Sequence, residues 1–213
     1  MIGWVPSWLL SGLYSSPKAS NDLRLIVRRF DDWLSRRYGV FEFSQIPDCL
    51  FRLQVTVLQH RVTLPDYQVE RGEPVLYLHI WNARLLALDT LSHGLGWAKT
   101  FQSSILPSLR EVAYYLEDQP DMEGIRAVGG VTVLLGNGGH AGGARLVERL
   151  GFTILPYQSP LGGFGEFWEN FYSWVLIWTY NPSALRYRHL RNLRRKEFWI
   201  SVGEFRRRFG QGE

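Results

Sequence analysis

The chain holds one cysteine among 213 residues, Cys49, so an internal disulfide and a cysteine-based metal site are both excluded. Its five histidines, at positions 60, 79, 93, 140 and 189, show neither HxH nor HxxxH spacing, and no metal site is expected. Long uncharged apolar runs are lacking as well: no stretch reaches the roughly 18 residues that a spanning helix needs. The opening segment, MIGWVPSWLLSGLYSS, is apolar but has no positively charged start and is interrupted by Pro6, so a cleaved signal peptide is not expected. Charged residues make up 21% and apolar residues 46%, a balance that excludes global disorder. The expectation is a cytoplasmic protein, with peripheral attachment to a membrane left open.

Aromatic side chains, by contrast, are abundant at 15%, nine of them Trp. Positive charge is concentrated at one end. Between positions 186 and 208 nine basic residues face only Glu197 and Glu204, a net of +7 that leaves −3 for the rest of a chain whose total is +4. Just ahead of that run, Phe164, Phe167, Trp168, Phe171, Trp174, Val175 and Trp178 recur at helical spacing. Aromatics beside arginines are the pattern of an interfacial anchor on anionic lipid. Arg186, Arg188, Arg191, Arg194, Arg195, Lys196, Trp174 and Trp178 are therefore candidate docking residues for an anionic membrane surface or a protein partner, and Trp4, Trp8 and Leu9 at the N-terminus could join them. The alternative is a helix packed on the domain's own sheet. No nucleic-acid-binding motif is present, which ranks that partner third.

Periodicity predicts a helix over Asn21–Tyr38, with Leu23, Ile26, Val27, Phe30, Trp33 and Leu34 on one stripe. A strand follows over Leu50–His60, then a second short strand, a turn at Arg71–Gly72–Glu73, and a third strand over Val75–Trp81. A helix over Phe101–Leu116, with Pro107 near its first turn or kinking it, precedes a strand at Val131–Leu135. The glycine-rich GNGGHAGG, a short helix ARLVERL and a strand FTILPY come next, and the rest reads as helical, aromatic and then basic. Three consecutive strands suit an antiparallel meander, and the later crossovers suit mixed pairing. The expected fold class is α/β (α+β), a mixed central sheet flanked by helices. Its expected organisation is an apolar segment at 1–19, a core at 20–160 and an aromatic, basic C-terminal extension at 161–213 packed on that core.

Two local features carry candidate chemistry. In the third predicted strand Tyr77 and His79 share a face with Trp81, whereas Leu76, Leu78 and Ile80 face the other way. A neutral His79 lining a cleft with Tyr77 would serve as base or hydrogen-bond donor, and a packed, hydrogen-bonded histidine is the plainer alternative. In GNGGHAGG, a glycine-rich turn between strand and helix, the amides at Gly138, Gly139 and His140 can meet an anion, although no Gly-Lys-Ser/Thr follows as in a phosphate loop. The alternative there is a merely flexible turn.

The element order is similar to the core of the GNAT acyltransferase superfamily, and GGARLVERLGF resembles that superfamily's late helix-and-strand motif through Leu146, Glu148, Leu150, Gly151 and Phe152. The resemblance implies acyl-CoA as a cofactor and a pyrophosphate loop, for which SHGLGWA with Gly94 and Gly96 is the candidate. Val147 stands where the superfamily often has a tyrosine general acid, and Leu91 where it has Gln or Arg, which argues for no CoA cofactor at all. RGEPVLYLHIWNARL and EFWISVGEFRRRFG more closely resemble the YkoP-like group, a domain sometimes appended to polysaccharide deacetylases. That likeness implies a setting in cell-envelope polysaccharide or glycolipid metabolism, as accessory factor or as divergent N-acyltransferase.

Overall fold

The computed structural model describes residues 17–47, 49–80, 95–133, 135, 141–180, 182 and 193–210. Helix α1 spans Pro17–Arg37, followed by strands β1 (Phe51–Val57), β2 (Val62–Thr63), β3 (Gln68–Val69) and β4 (Pro74–Ile80). Helix α2 (Leu95–Asp118) leads through a single 3-10 turn to β5 (Ala127–Thr132), α3 (Ala141–Arg149) and β6 (Thr153–Pro156). Helix α4 (Gly162–Tyr180), β7 (Lys196–Ser201) and α5 (Val202–Phe209) complete the described elements.

The mixed α/β class is as expected, but the three-strand meander is not. β1 pairs directly with β4, Phe51 opposite Ile80 and Val57 opposite Pro74, while β2 and β3 form a separate two-stranded ribbon. Leu58, Val62, Leu64 and Val69 fold that ribbon over Val75, Ala127 and Trp199, because its apolar residues have no other surface to bury against. The main sheet has the order β1-β4-β5-β7-β6; β4 and β5 are parallel and the other neighbours antiparallel.

Two strand assignments need correction. The strand expected at Val131–Leu135 lies earlier, at Ala127–Thr132, across two glycines that a propensity reading passes over. Gly129 is there for packing: a Cβ would collide with the Phe198 carbonyl oxygen and come within 2.5 Å of the Trp199 ring. At Gly130 a Cβ would meet the Leu78 carbonyl oxygen at 2.9 Å. The second correction is β7, which sits between β5 and β6 although its residues read as part of a basic helical tail. Its alternation of Phe198 and Ile200 against Glu197, Trp199 and Ser201 is a strand pattern hidden by the surrounding arginines.

One sheet face carries Leu53, Leu76, Leu78, Val128, Phe198 and Ile200. Against them pack Ile105, Leu109, Val112, Ala113 and Leu116 of α2, the predicted stripe, together with Phe205 and Phe209 of α5. Helix α2 begins at Leu95, so Pro107 lies mid-helix rather than in the first turn. Close by, Ser108 donates to the Ser104 carbonyl at 2.7 Å and its Oγ accepts the Leu50 amide at 2.9 Å, tying the helix to the chain entering β1.

Candidate functional site

The opposite sheet face is polar at its centre. Arg52 and Gln54 on β1 stand across from His79 and Tyr77 on β4, and beyond the bare Gly129 come Trp199 and Glu197 on β7. A carboxylate buried on an internal strand is costly unless it is hydrogen-bonded. Glu197, only 2% exposed, receives the Trp199 indole N–H at 2.8 Å and lies 3.2 Å from Nε2 of His60, whose side chain is 52% exposed. Tyr77 packs edge-on against Trp199, ring centroids 5.1 Å apart. Burial first, then the Glu197 charge and Tyr157, push the Tyr77 phenol well above its ordinary range. The ladder between β4 and β5 spans only three pairs and ends at Tyr77 opposite Gly129, although β4 stays paired with β1 to Ile80 and β5 with β7 to Thr132. The β4–β5 ladder thus ends at Tyr77, with the Leu78 backbone still close to Gly130.

Next to the end of that ladder, the Gln54 amide nitrogen donates to the Tyr38 carbonyl at 2.8 Å, so its oxygen is the partner of His79 Nε2, also at 2.8 Å. Nε2 of His79 therefore carries the proton and Nδ1 does not. Burial, and secondarily Arg52, lower the His79 pKa to about 4, so the ring is neutral and weakly basic at pH 7. Of the two sequence readings of His79, the packed, hydrogen-bonded one matches this geometry.

Helices α1 and α4 lie side by side, joined through Asp31. This carboxylate, missed in the sequence because it interrupts an apolar stripe, is buried and accepts the Tyr172 hydroxyl at 2.7 Å. Its other oxygen is 3.5 Å from the Tyr180 hydroxyl and 3.8 Å from an Arg52 nitrogen. The predicted stripe is therefore split: Leu23, Val27 and Leu34 are half-buried on the side of Asp31, whereas Ile26, Phe30 and Trp33 are exposed at 62%, 48% and 56%. Phe164, Phe167, Trp168 and Phe171 on α4 are exposed too, and Phe30 meets Tyr172 edge-on at 6.1 Å. Arg24 lies over the Trp178 ring at 5.2 Å and Arg28 over Tyr180 at 5.4 Å.

The remaining candidate residues divide three ways. Gly94, Gly138, Gly139, His140, Arg186, Arg188 and Arg191 lie outside the described residues. Gly96 belongs to the first turn of α2. Among the docking candidates, Arg194 is exposed, 3.7 Å from Glu166, whereas Arg195 turns inward to the Glu169 carbonyl at 2.5 Å and Ser173 Oγ at 2.7 Å. Lys196 opens β7, and Trp174 and Trp178 are half-buried, so the outward aromatics are those of the first half of α4 instead. A separate groove of about 510 Å³ is walled by Phe43, Tyr114 and Tyr115 and rimmed by Glu111, Glu117 and Asp118, acids that repel rather than hold an anion. Among the described residues no cluster is placed to hold a metal, and no helix is long and apolar enough to cross a membrane.

Residues 37–209 match the YkoP domain, a span that takes in β1 to β7 and α5. The chain belongs to the YkoP domain family. No curated protein and no solved structure matches it.

Proposed function

We propose that this YkoP-domain protein is an accessory factor of cell-envelope polysaccharide or glycolipid metabolism that works docked on an anionic membrane surface. The observation that carries the reading is the set of exposed aromatics on the neighbouring helices α1 and α4. Large apolar side chains grouped on a surface mark a contact site rather than ordinary solvent exposure. Their setting is basic: α1 holds six basic residues against three acidic ones, and one of the three, Asp31, is buried. Arg28, Arg29, Arg36 and Arg37 are exposed on the same helix. Such charge draws the helix pair to acidic headgroups, and the rings partition into the interface. The polysaccharide setting rests on the family. The direct test is emission from the native tryptophans with phosphatidylglycerol vesicles brominated in the acyl chains. Quenching is expected from Trp33 and Trp168, and emission unchanged at vesicle excess sinks the reading.

A second reading, a divergent acyl-CoA-dependent N-acyltransferase, draws support from the short β4–β5 ladder, since members of the GNAT superfamily admit their cofactor between the corresponding strands. Val147 in place of the superfamily's tyrosine argues for weak acetyl-CoA binding or none. Calorimetry giving a low-micromolar dissociation constant would promote this reading over the first.

A further inference from the structure

The half-exposed His60 and the buried Glu197 form a pair that neither the sequence pattern nor the docking surface uses. His60 follows β1 in the chain, and its Nε2 lies 3.2 Å from Glu197 Oε2 on β7. Facing a carboxylate oxygen, Nε2 carries the ring proton, which leaves Nδ1 as the unprotonated nitrogen of a largely solvent-facing imidazole. The buried carboxylate fixes the ring's tautomer and would offset the charge of an imidazolium as it forms, in low-dielectric surroundings where that interaction is strong. Glu197 is itself held by the Trp199 indole, and Trp199 is fully buried, so the pair is rigidly mounted on a central strand. Tyr77 packs edge-on against the same indole, where the β4–β5 ladder ends. His79, by contrast, has its Nε2 proton engaged by Gln54.

We propose that His60 and Glu197 form a proton-abstracting site that activates a hydroxyl or amine acceptor for attack on an acyl ester. His60 is the base, and Glu197 is a positioning residue acting through it. With water as acceptor the step balances as follows. The water oxygen bonds to the carbonyl carbon while its proton passes to Nδ1. The tetrahedral intermediate then collapses, the bond to the leaving alkoxide breaks, and His60 gives its proton to that group or to solvent.

The test uses the full chain and 4-nitrophenyl acetate. Hydrolysis is expected about tenfold or more faster than with an equal concentration of N-acetylhistidine, and His60→Ala removes that excess. Because His60 is half-exposed, the variant keeps its circular dichroism, and added imidazole restores part of the lost rate above what the same imidazole gives without protein, which a merely structural histidine would not allow. Glu197→Gln lowers kcat by about tenfold with KM unchanged. A wild-type rate no higher than N-acetylhistidine, or a His60→Ala variant as fast as wild type, overturns the proposal. Vesicle binding of the His60→Ala variant stays at the wild-type level, so the outcome is independent of the docking reading.

Discussion

The Asp31 carboxylate of α1 accepts the Tyr172 hydroxyl of α4 at 2.7 Å, a contact between residues 141 positions apart that sets which side of each helix faces outward. With Asp31 turned inward toward Arg52, the helical period places Phe30 and Trp33 on the open side. Burial, the hydrogen bond to Asp31 and the Asp31 charge together push the Tyr172 phenol far above its ordinary range, so this bond persists through neutral and alkaline conditions.

Removing that anchor has a defined cost. Asp31→Ala strands the Tyr172 hydroxyl and withdraws a charge facing Arg52, and should destabilise the fold by about 2–4 kcal/mol in urea titration. Tyr172→Phe, which removes one hydrogen bond and keeps the ring, should cost about 1 kcal/mol. Equal losses in the two variants would show that Asp31 does nothing beyond meeting that hydroxyl.

His79 makes stability pH-dependent. Its pKa falls to about 4 in the folded protein through burial and Arg52, against roughly 6.5 in the unfolded chain, so between those values the unfolded state binds the extra proton. The contribution is complete above pH ~6.5 and is lost as pH falls toward 4. Between pH 7 and 4.5 this histidine should account for about 2–3 kcal/mol of lost stability. His79→Gln should flatten the profile by that amount in denaturant titrations at the two pH values; an unchanged slope would mean that His79 protonates freely in the folded state.

Gly129→Ala probes the sheet centre. The added methyl has no room between the Phe198 carbonyl and the Trp199 ring, and the neighbour is backbone that cannot swing away. The variant should lose about 3 kcal/mol or fail to fold, measured as soluble yield and urea midpoint. Gly163, with no neighbouring atom near its added Cβ, is the matched control and should tolerate Ala.

Much of the core was legible in the sequence. The α2 stripe of Ile105, Leu109, Val112, Ala113 and Leu116 is buried where its period predicts, and Tyr77 and His79 do share a face opposite Leu76 and Leu78. What escaped has physical reasons. Gly129 and Gly130 weaken strand propensity locally, but the Trp199 ring and the Leu78 backbone require their bareness. In α1, apolar periodicity shows that a stripe exists and cannot say which part of it faces inward and which the outside; the buried Asp31 decides that through a partner on α4. The His60–Glu197 pair is invisible because its members are 137 positions apart, and only recognition of β7 as a strand places Glu197 on the polar face. Part of the basic run is engaged within the fold, which net charge cannot show: Arg195 and Arg206 turn inward to carbonyls and Arg207 and Arg208 bind Glu204.

The docking account is tested most directly by flotation of the protein with phosphatidylglycerol vesicles at low salt, set beside phosphatidylcholine vesicles and a Trp33→Ser, Trp168→Ser double variant. Both tryptophans are about half exposed, at 56% and 51%, so the variant should fold as wild type. The account predicts that wild type floats with the anionic vesicles only and is released by added salt, each engaged basic residue contributing about 1 kcal/mol before screening, and that the variant stays at the bottom of the gradient. Wild type that does not float, or a double variant that floats equally well, contradicts it.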